Sequence, residues 1–154
     1  MRHIFKNAAG LSLIELLIVM AIIGILAGVI IPTYKSSIRK ANEASAVTTL
    51  NTVKVAQAKF VMSHDGKYGS FRELVSEGLL DKRFNTDTPN IRGYLFTLTL
   101  VDINNKPATT FKLNANPEIS EGISATGKVF YYSEPDAGIF VNNDHEASSD
   151  DNIL

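Results

Sequence analysis

The sequence predicts an α+β chain, with one long N-terminal helix and a small antiparallel β-sheet head packed on the C-terminal half of that helix. Three observations carry this. An apolar run from Leu11 to Ile31 is followed, past Pro32, by apolar residues mostly at three- and four-residue steps as far as Phe60. Segments that alternate every second residue then recur between Tyr94 and Val141. Turn-forming clusters separate these segments, chiefly Asn104-Asn105-Lys106-Pro107 and Glu134-Pro135-Asp136-Ala137-Gly138. A period near 3.6 belongs to helices and a period of two to strands.

The helix is the most legible element. Between Leu11 and Ile31 the only polar residues are Ser12 and Glu15, and the run is uninterrupted from Leu16. These 21 residues, at about 1.5 Å each, reach roughly 31 Å, enough to cross a hydrocarbon layer of about 30 Å. Past Pro32, Ile38, Ala41, Ala46, Leu50, Val53 and Phe60 mark an apolar side, and Lys35, Arg39, Lys40, Glu43, Lys54 and Lys59 a polar one. Asp65-Gly66 supplies the stop, so the helix should run from about Leu11 to His64. Such a helix needs packing on both halves: lipid or sister helices first, a globular head second. Pro32 lacks a backbone donor. With Gly24 it brackets Ile25 to Ile31, a stretch expected to be helical in a membrane. Gly24 and Gly28 form a GxxxG, a spacing that lets helices approach closely and that also arises by chance in such a run.

Downstream, Ser70-Phe71-Arg72-Glu73 has the spacing of a capping box and Gly78 that of a helix stop, which predicts a short second helix. Residues from Leu79 lead into a loop through Pro89. Tyr94 to Val101 reads as a strand apolar on both faces, one of them packing on the long helix. A returning strand spans Thr109 to Ala115, with Phe111, Leu113 and Ala115 on one side. Val129 to Tyr132 and Ile139 to Val141 complete an antiparallel meander. Asn142 to Leu154 is polar and acidic and is expected to be mobile.

Composition excludes several functions. The formal net charge is -1 and no basic stripe with interleaved aromatics occurs, so no nucleic acid is an expected partner. There is no cysteine, hence no disulfide scaffold, thiolate zinc site or cysteine nucleophile. His3, His64 and His145 are too scattered for a metal set. No phosphate loop or nucleophile elbow is found, and no catalytic residue, metal ligand or cofactor is expected. The oxygen-rich C-terminal end, from Asp136 through Asp151, matches no known calcium loop in spacing and reads better as a solvated tail.

The N-terminal order is informative. Met1 to Gly10 carries Arg2 and Lys6 and no acidic residue. A secretory signal peptide places small residues after its apolar core, whereas here Ala8, Ala9 and Gly10 precede it. A plain single-pass anchor explains the run but has no use for Glu15, whose carboxylate costs a few kcal/mol in hydrocarbon. Glu15 becomes sensible if the chain is cut after Gly10. The new α-amine on Leu11 then lies a turn away, and in a bundle of such helices it can face Glu15 of a neighbour. A buried pair of this kind sets register more than it adds stability. Tyr34 has two readings, a packing residue between subunits or an anchor at the membrane boundary.

Gly10-Leu11-Ser12-Leu13-Ile14-Glu15-Leu16 resembles the prepilin cleavage motif of type IV pilins and type II secretion pseudopilins. Gly24 and Pro32 fall where that family has a helix-loosening glycine and a proline, and the full resemblance covers Gly10 to about Tyr34. Leu11 departs from it, since Phe is commoner there. The resemblance implies a pilin fold, a leader peptide at 1–10, cleavage between Gly10 and Leu11 by a prepilin peptidase, and N-methylation of Leu11. It implies a transmembrane and filament-core half of the helix at 11–32, a globular head at 33–141 and the acidic tail at 142–154. The assembly residues are then Glu15, Gly24 and Pro32. The implied partners are identical subunits in a helical filament, an assembly platform with its ATPase, and the inner membrane. The implied location is the inner membrane as a precursor, then an extracellular pilus or a periplasmic pseudopilus. The stretch from Gly93 to Val141 looks more like cysteine-free pilins than like calcium-binding pseudopilins.

Overall fold

The computed structural model describes residues 11–103, 106–122 and 124–154. The elements run in the order α1 (Leu13–Ser63), α2 (Phe71–Ser76), a 3-10 turn (Lys82–Phe84), β1 (Asn90–Ile91), β2 (Tyr94–Ile103), β3 (Lys106–Pro117), β4 (Phe130–Ser133), β5 (Ile139–Asn142) and β6 (Asn152–Ile153). The chain divides into two units, residues 1–36 and 37–154. The α+β arrangement is the one the sequence predicts.

In the first unit α1 is apolar all round from Leu16 to Ile31. The helix continues through Pro32, where the Thr33 hydroxyl donates to the Val29 carbonyl at 3.1 Å. Ile25 to Ile31 is helical throughout.

In the second unit the later part of α1 lies on one face of a six-stranded sheet whose spatial order is β1-β2-β3-β4-β5-β6. Every adjacent pair is antiparallel, so the sheet is a simple meander. Ala46, Leu50, Val53, Ala56 and Phe60 from the helix meet Tyr94, Phe96, Phe111, Leu113, Ala115, Tyr131 and Ile139 from the sheet. Burying each large side chain contributes roughly 1.5–3 kcal/mol. Phe111, Leu113 and Ala115 share the covered face, as their alternation requires. Ile38 and Ala41, expected on the apolar side, are exposed. The Asn42 amide donates to the Thr126 carbonyl at 2.9 Å. Glu43 then accepts from the Lys128 backbone N–H at 3.0 Å.

Buried Gln57 interrupts the apolar face. Its amide donates to the Gly69 carbonyl at 2.6 Å and accepts from the Gly69 N–H at 3.0 Å. A loop backbone is thus satisfied inside the core. Gln57→Leu strands both Gly69 groups and is expected to cost about 2–4 kcal/mol, read as a lower midpoint in denaturant titration.

The predicted stops and caps are present. Asp65 and Gly66 adopt positive φ (52° and 76°) after α1. Ser70 and Glu73 form the reciprocal capping box of α2, and the Ser70 hydrogen bonds hold the Glu73 carboxyl below its ordinary value. Gly78 ends the segment at φ 70°.

Three differences from the sequence reading stand out. β3 begins at Lys106, because Asp102 accepts from the Ala108 N–H at 2.8 Å and Thr109 accepts from the Ile103 N–H at 3.0 Å. The hairpin residues Asn104 and Asn105 lie outside the described residues. β1 was not foreseen: it pairs with β2 through the two-residue loop Arg92-Gly93, both at positive φ, the geometry such hairpins favour. The expected mobile tail is folded. Ala147 packs on Tyr132 and Phe140 on the sheet's other face, and Asn152–Ile153 pairs with β5. Asn114 and Asn116 hold it by bonds to the Ala147 carbonyl (3.2 Å) and the Glu146 carboxylate (3.0 Å). Two aromatic side chains that would otherwise face water outweigh the segment's polar composition.

Candidate assembly interface

The N-terminal part of α1 carries the functional signal. Leu13 to Ile31 is apolar apart from Glu15, and its large side chains are exposed, from 47 % at Val19 to 81 % at Leu13. Among the described residues, α1 is the one helix long and apolar enough to cross a membrane, with a mean hydropathy of 2.9 in its most apolar window. An exposed apolar surface of this extent marks a membrane or protein contact.

Leu11 and Ser12 precede the first helical residue, and Leu11 is 76 % exposed. The Ser12 N–H donates to Glu15 Oε2 at 2.8 Å, and the Ser12 carbonyl accepts from the Leu16 N–H at 3.2 Å. Ser12 is therefore the N-cap residue and Glu15 the third residue of the first turn, where a carboxylate caps the backbone and faces the positive end of the helix dipole. This partner within the chain was not foreseen. Ser12-Leu13-Ile14-Glu15 has the same Ser-x-x-Glu spacing as Ser70 to Glu73, so the signal was present.

Gly24 and Gly28 leave open space: a Cβ at either would meet no atom within 4 Å. Both lie on an unoccupied helix surface. Pro32 sits inside the helix, and Tyr34 is 65 % exposed. Leu11, Glu15, Gly24 and Pro32 thus belong to one helix with its immediate flank. Gly10 lies outside the described residues. Among the described residues no group of three or more His, Asp or Glu side chains is arranged to hold a metal.

An apolar helix with a capped carboxylate in its first turn, carrying an α+β head, defines a membrane-anchored class of precursor. Residues 5–31 match the prokaryotic N-terminal methylation motif. Over 144 residues the chain is 28 % identical to the Type IV wide pilus major component PilA4 of Thermus thermophilus, covering 94 % of this chain and 95 % of that one. It is 34 % identical over 84 residues to the ComG operon protein 3 homolog of Bacillus licheniformis, covering 54 % of this chain and 84 % of that protein. No solved structure matches the chain significantly. The chain belongs to the type IV pilin and pseudopilin family. It is a pilin-like filament subunit, and its relatives are structural proteins rather than enzymes.

Proposed function

We propose that this chain is the subunit of a surface type IV pilus, stored in the inner membrane with its head outside the cytoplasm. A prepilin peptidase cuts between Gly10 and Leu11 and methylates the new amine on Leu11. Loss of the leader removes Arg2 and Lys6 and leaves a more acidic mature chain. Extraction by an assembly platform and its ATPase transfers Leu11 to about Ile31 from lipid into a bundle of identical helices. The contact is head-to-tail, which generates an open filament rather than a closed ring.

The observation that carries this is Glu15. A lone carboxylate in an otherwise apolar, exposed helix is costly in lipid and useful where a neighbour's Leu11 amine can meet it. The Ser12 bond satisfies one carboxylate oxygen in the single chain and leaves capacity for a second donor, since an ionised carboxylate accepts at several sites. Gly24 and Gly28, with open space over both, support close helix approach, and Pro32 gives the helix a point at which to loosen.

A pilus is favoured over the alternative, a pseudopilin of a type II secretion system, by the near-complete alignment to a wide pilus component. Deleting the gene is expected to remove surface pili from intact cells while protein secretion continues. Lost secretion with retained pili would establish the pseudopilin reading instead.

A further inference from the structure

We propose that the head carries a shallow site for a neutral sugar, a single hexopyranose ring, between the β3–β4 loop and the segment that follows β5. The cleft has a volume of about 270 Å³ and is lined by Ser120, Glu121, Lys128, Phe130, Asn143 and Asp144. That is slightly below the ~300 Å³ at which pockets for drug-sized ligands begin, room for one ring rather than an extended ligand.

Both walls are tied to the fold. The Lys128 backbone N–H donates to Glu43 at 3.0 Å, and the Thr126 hydroxyl donates to the Gly93 carbonyl at 2.8 Å. On the opposite wall, Asn142 Oδ1 accepts from the Asp144 and His145 N–H groups at 2.8 and 3.1 Å. Phe130 opens β4 and packs beside Tyr132 and Phe140, so its ring is braced.

The side chains within the cleft are otherwise uncommitted. Ser120, Glu121, Lys128, Asn143 and Asp144 make no side-chain hydrogen bond or ion pair among the described residues. The Lys128 ammonium lines the same cleft as two carboxylates without pairing to either. Carboxylates disfavour an anion, and Lys128 disfavours a metal cation. A single aromatic wall is too little for a lipid or an apolar ligand. What remains is a ligand offering several hydroxyls, each able to donate and accept, with an apolar ring face for Phe130. A neutral pyranose has that chemistry: carboxylates and the Asn143 amide take its hydroxyls, and the aromatic ring covers its C–H face. The site is independent of polymerisation and does not rest on the filament reading.

The test is ligand-observed saturation-transfer NMR on the full chain in detergent micelles, with methyl glucoside, methyl galactoside and N-acetylglucosamine as probes. At least one is expected to receive saturation from the wild-type protein. Asn143→Ala and Glu121→Gln are each expected to weaken that binding about tenfold, the effect of losing one good hydrogen bond. Both side chains are exposed and unbonded, so folding is unaffected. Phe130→Ala is expected to remove binding, with a melting curve recorded beside it because the ring also braces Tyr132. Thr97→Ala, on the uncovered part of the sheet, is expected to change nothing. The proposal is overturned if no probe binds, if binding survives both Asn143→Ala and Glu121→Gln, or if lysine or inorganic phosphate displaces the sugar from this cleft.

Discussion

Glu15→Ala is expected to abolish filaments while leaving the head fully folded. The head's core is built from residues between Ala46 and Ile139, all in the second unit, whereas Glu15 belongs to the first. In the single chain the substitution removes only the acceptor for the Ser12 N–H, a loss of about 1 kcal/mol at most helix caps. In the proposed polymer it would leave the neighbour's Leu11 amine buried without a partner, which costs about 3–5 kcal/mol per contact. That corresponds to more than a hundredfold in association at each interface. Glu15→Gln separates the two roles. It keeps an acceptor for Ser12 but loses the charge, and it is expected to fail in assembly nearly as badly. Electron microscopy of sheared filaments, with circular dichroism of the purified subunit, reads both outcomes. Normal filaments from Glu15→Gln would reduce Glu15 to a helix cap and remove the pairing.

The second large effect is expected at Gly127, in the second unit. A Cβ there would overlap the Tyr94 hydroxyl. Tyr94 is fully buried, and its hydroxyl donates to the Val129 carbonyl at 2.8 Å, fixing the loop that enters β4. The ring cannot retreat, because Tyr131 lies against it with centroids 5.9 Å apart. Burial pushes the Tyr131 hydroxyl up to about 12 and raises that of Tyr94 further, so both stay neutral donors at any ordinary pH. Gly127→Ala is expected to cost about 3 kcal/mol, overpacking together with the displaced hydrogen bond. Tyr94→Phe alone loses the same bond, about 1 kcal/mol, and relieves only the hydroxyl part of the clash, because the ring carbons Cζ and Cε2 stay 2.6 and 2.7 Å from the new methyl position. The double variant is therefore expected to cost less than the sum of the two single costs, because both single changes lose the same hydrogen bond, a coupling that denaturant titration of the four proteins measures. Simple addition of the two single costs would contradict the packing described for this loop.

How much of this was legible depended on whether the signal was local. The long helix, its stop at Asp65-Gly66, the α2 capping box and the order of the main strands all follow from period and turn chemistry within a few residues. Contacts made by distant parts of the chain were not legible. Gln57 looks like a solvent-facing polar residue until Gly69 is folded back on it. Residues 142–154 read as a mobile tail because their composition is acidic, and nothing local shows that Ala147 covers Tyr132 and Phe140. β1 is two residues long, too short for any period. In the candidate interface, Glu15 was conspicuous as a charge in an apolar run. Its partner Ser12 was legible by the Ser-x-x-Glu spacing, a signal weaker than that of a charge placed in hydrocarbon.

The mature N-terminus decides the central claim. Intact-mass and N-terminal peptide mass spectrometry of the protein purified from its own membranes is expected to find a chain that begins at Leu11 and carries one methyl group on the amine. A chain that still begins at Met1 would contradict the account, because the Leu11 amine that gives Glu15 its purpose would not exist.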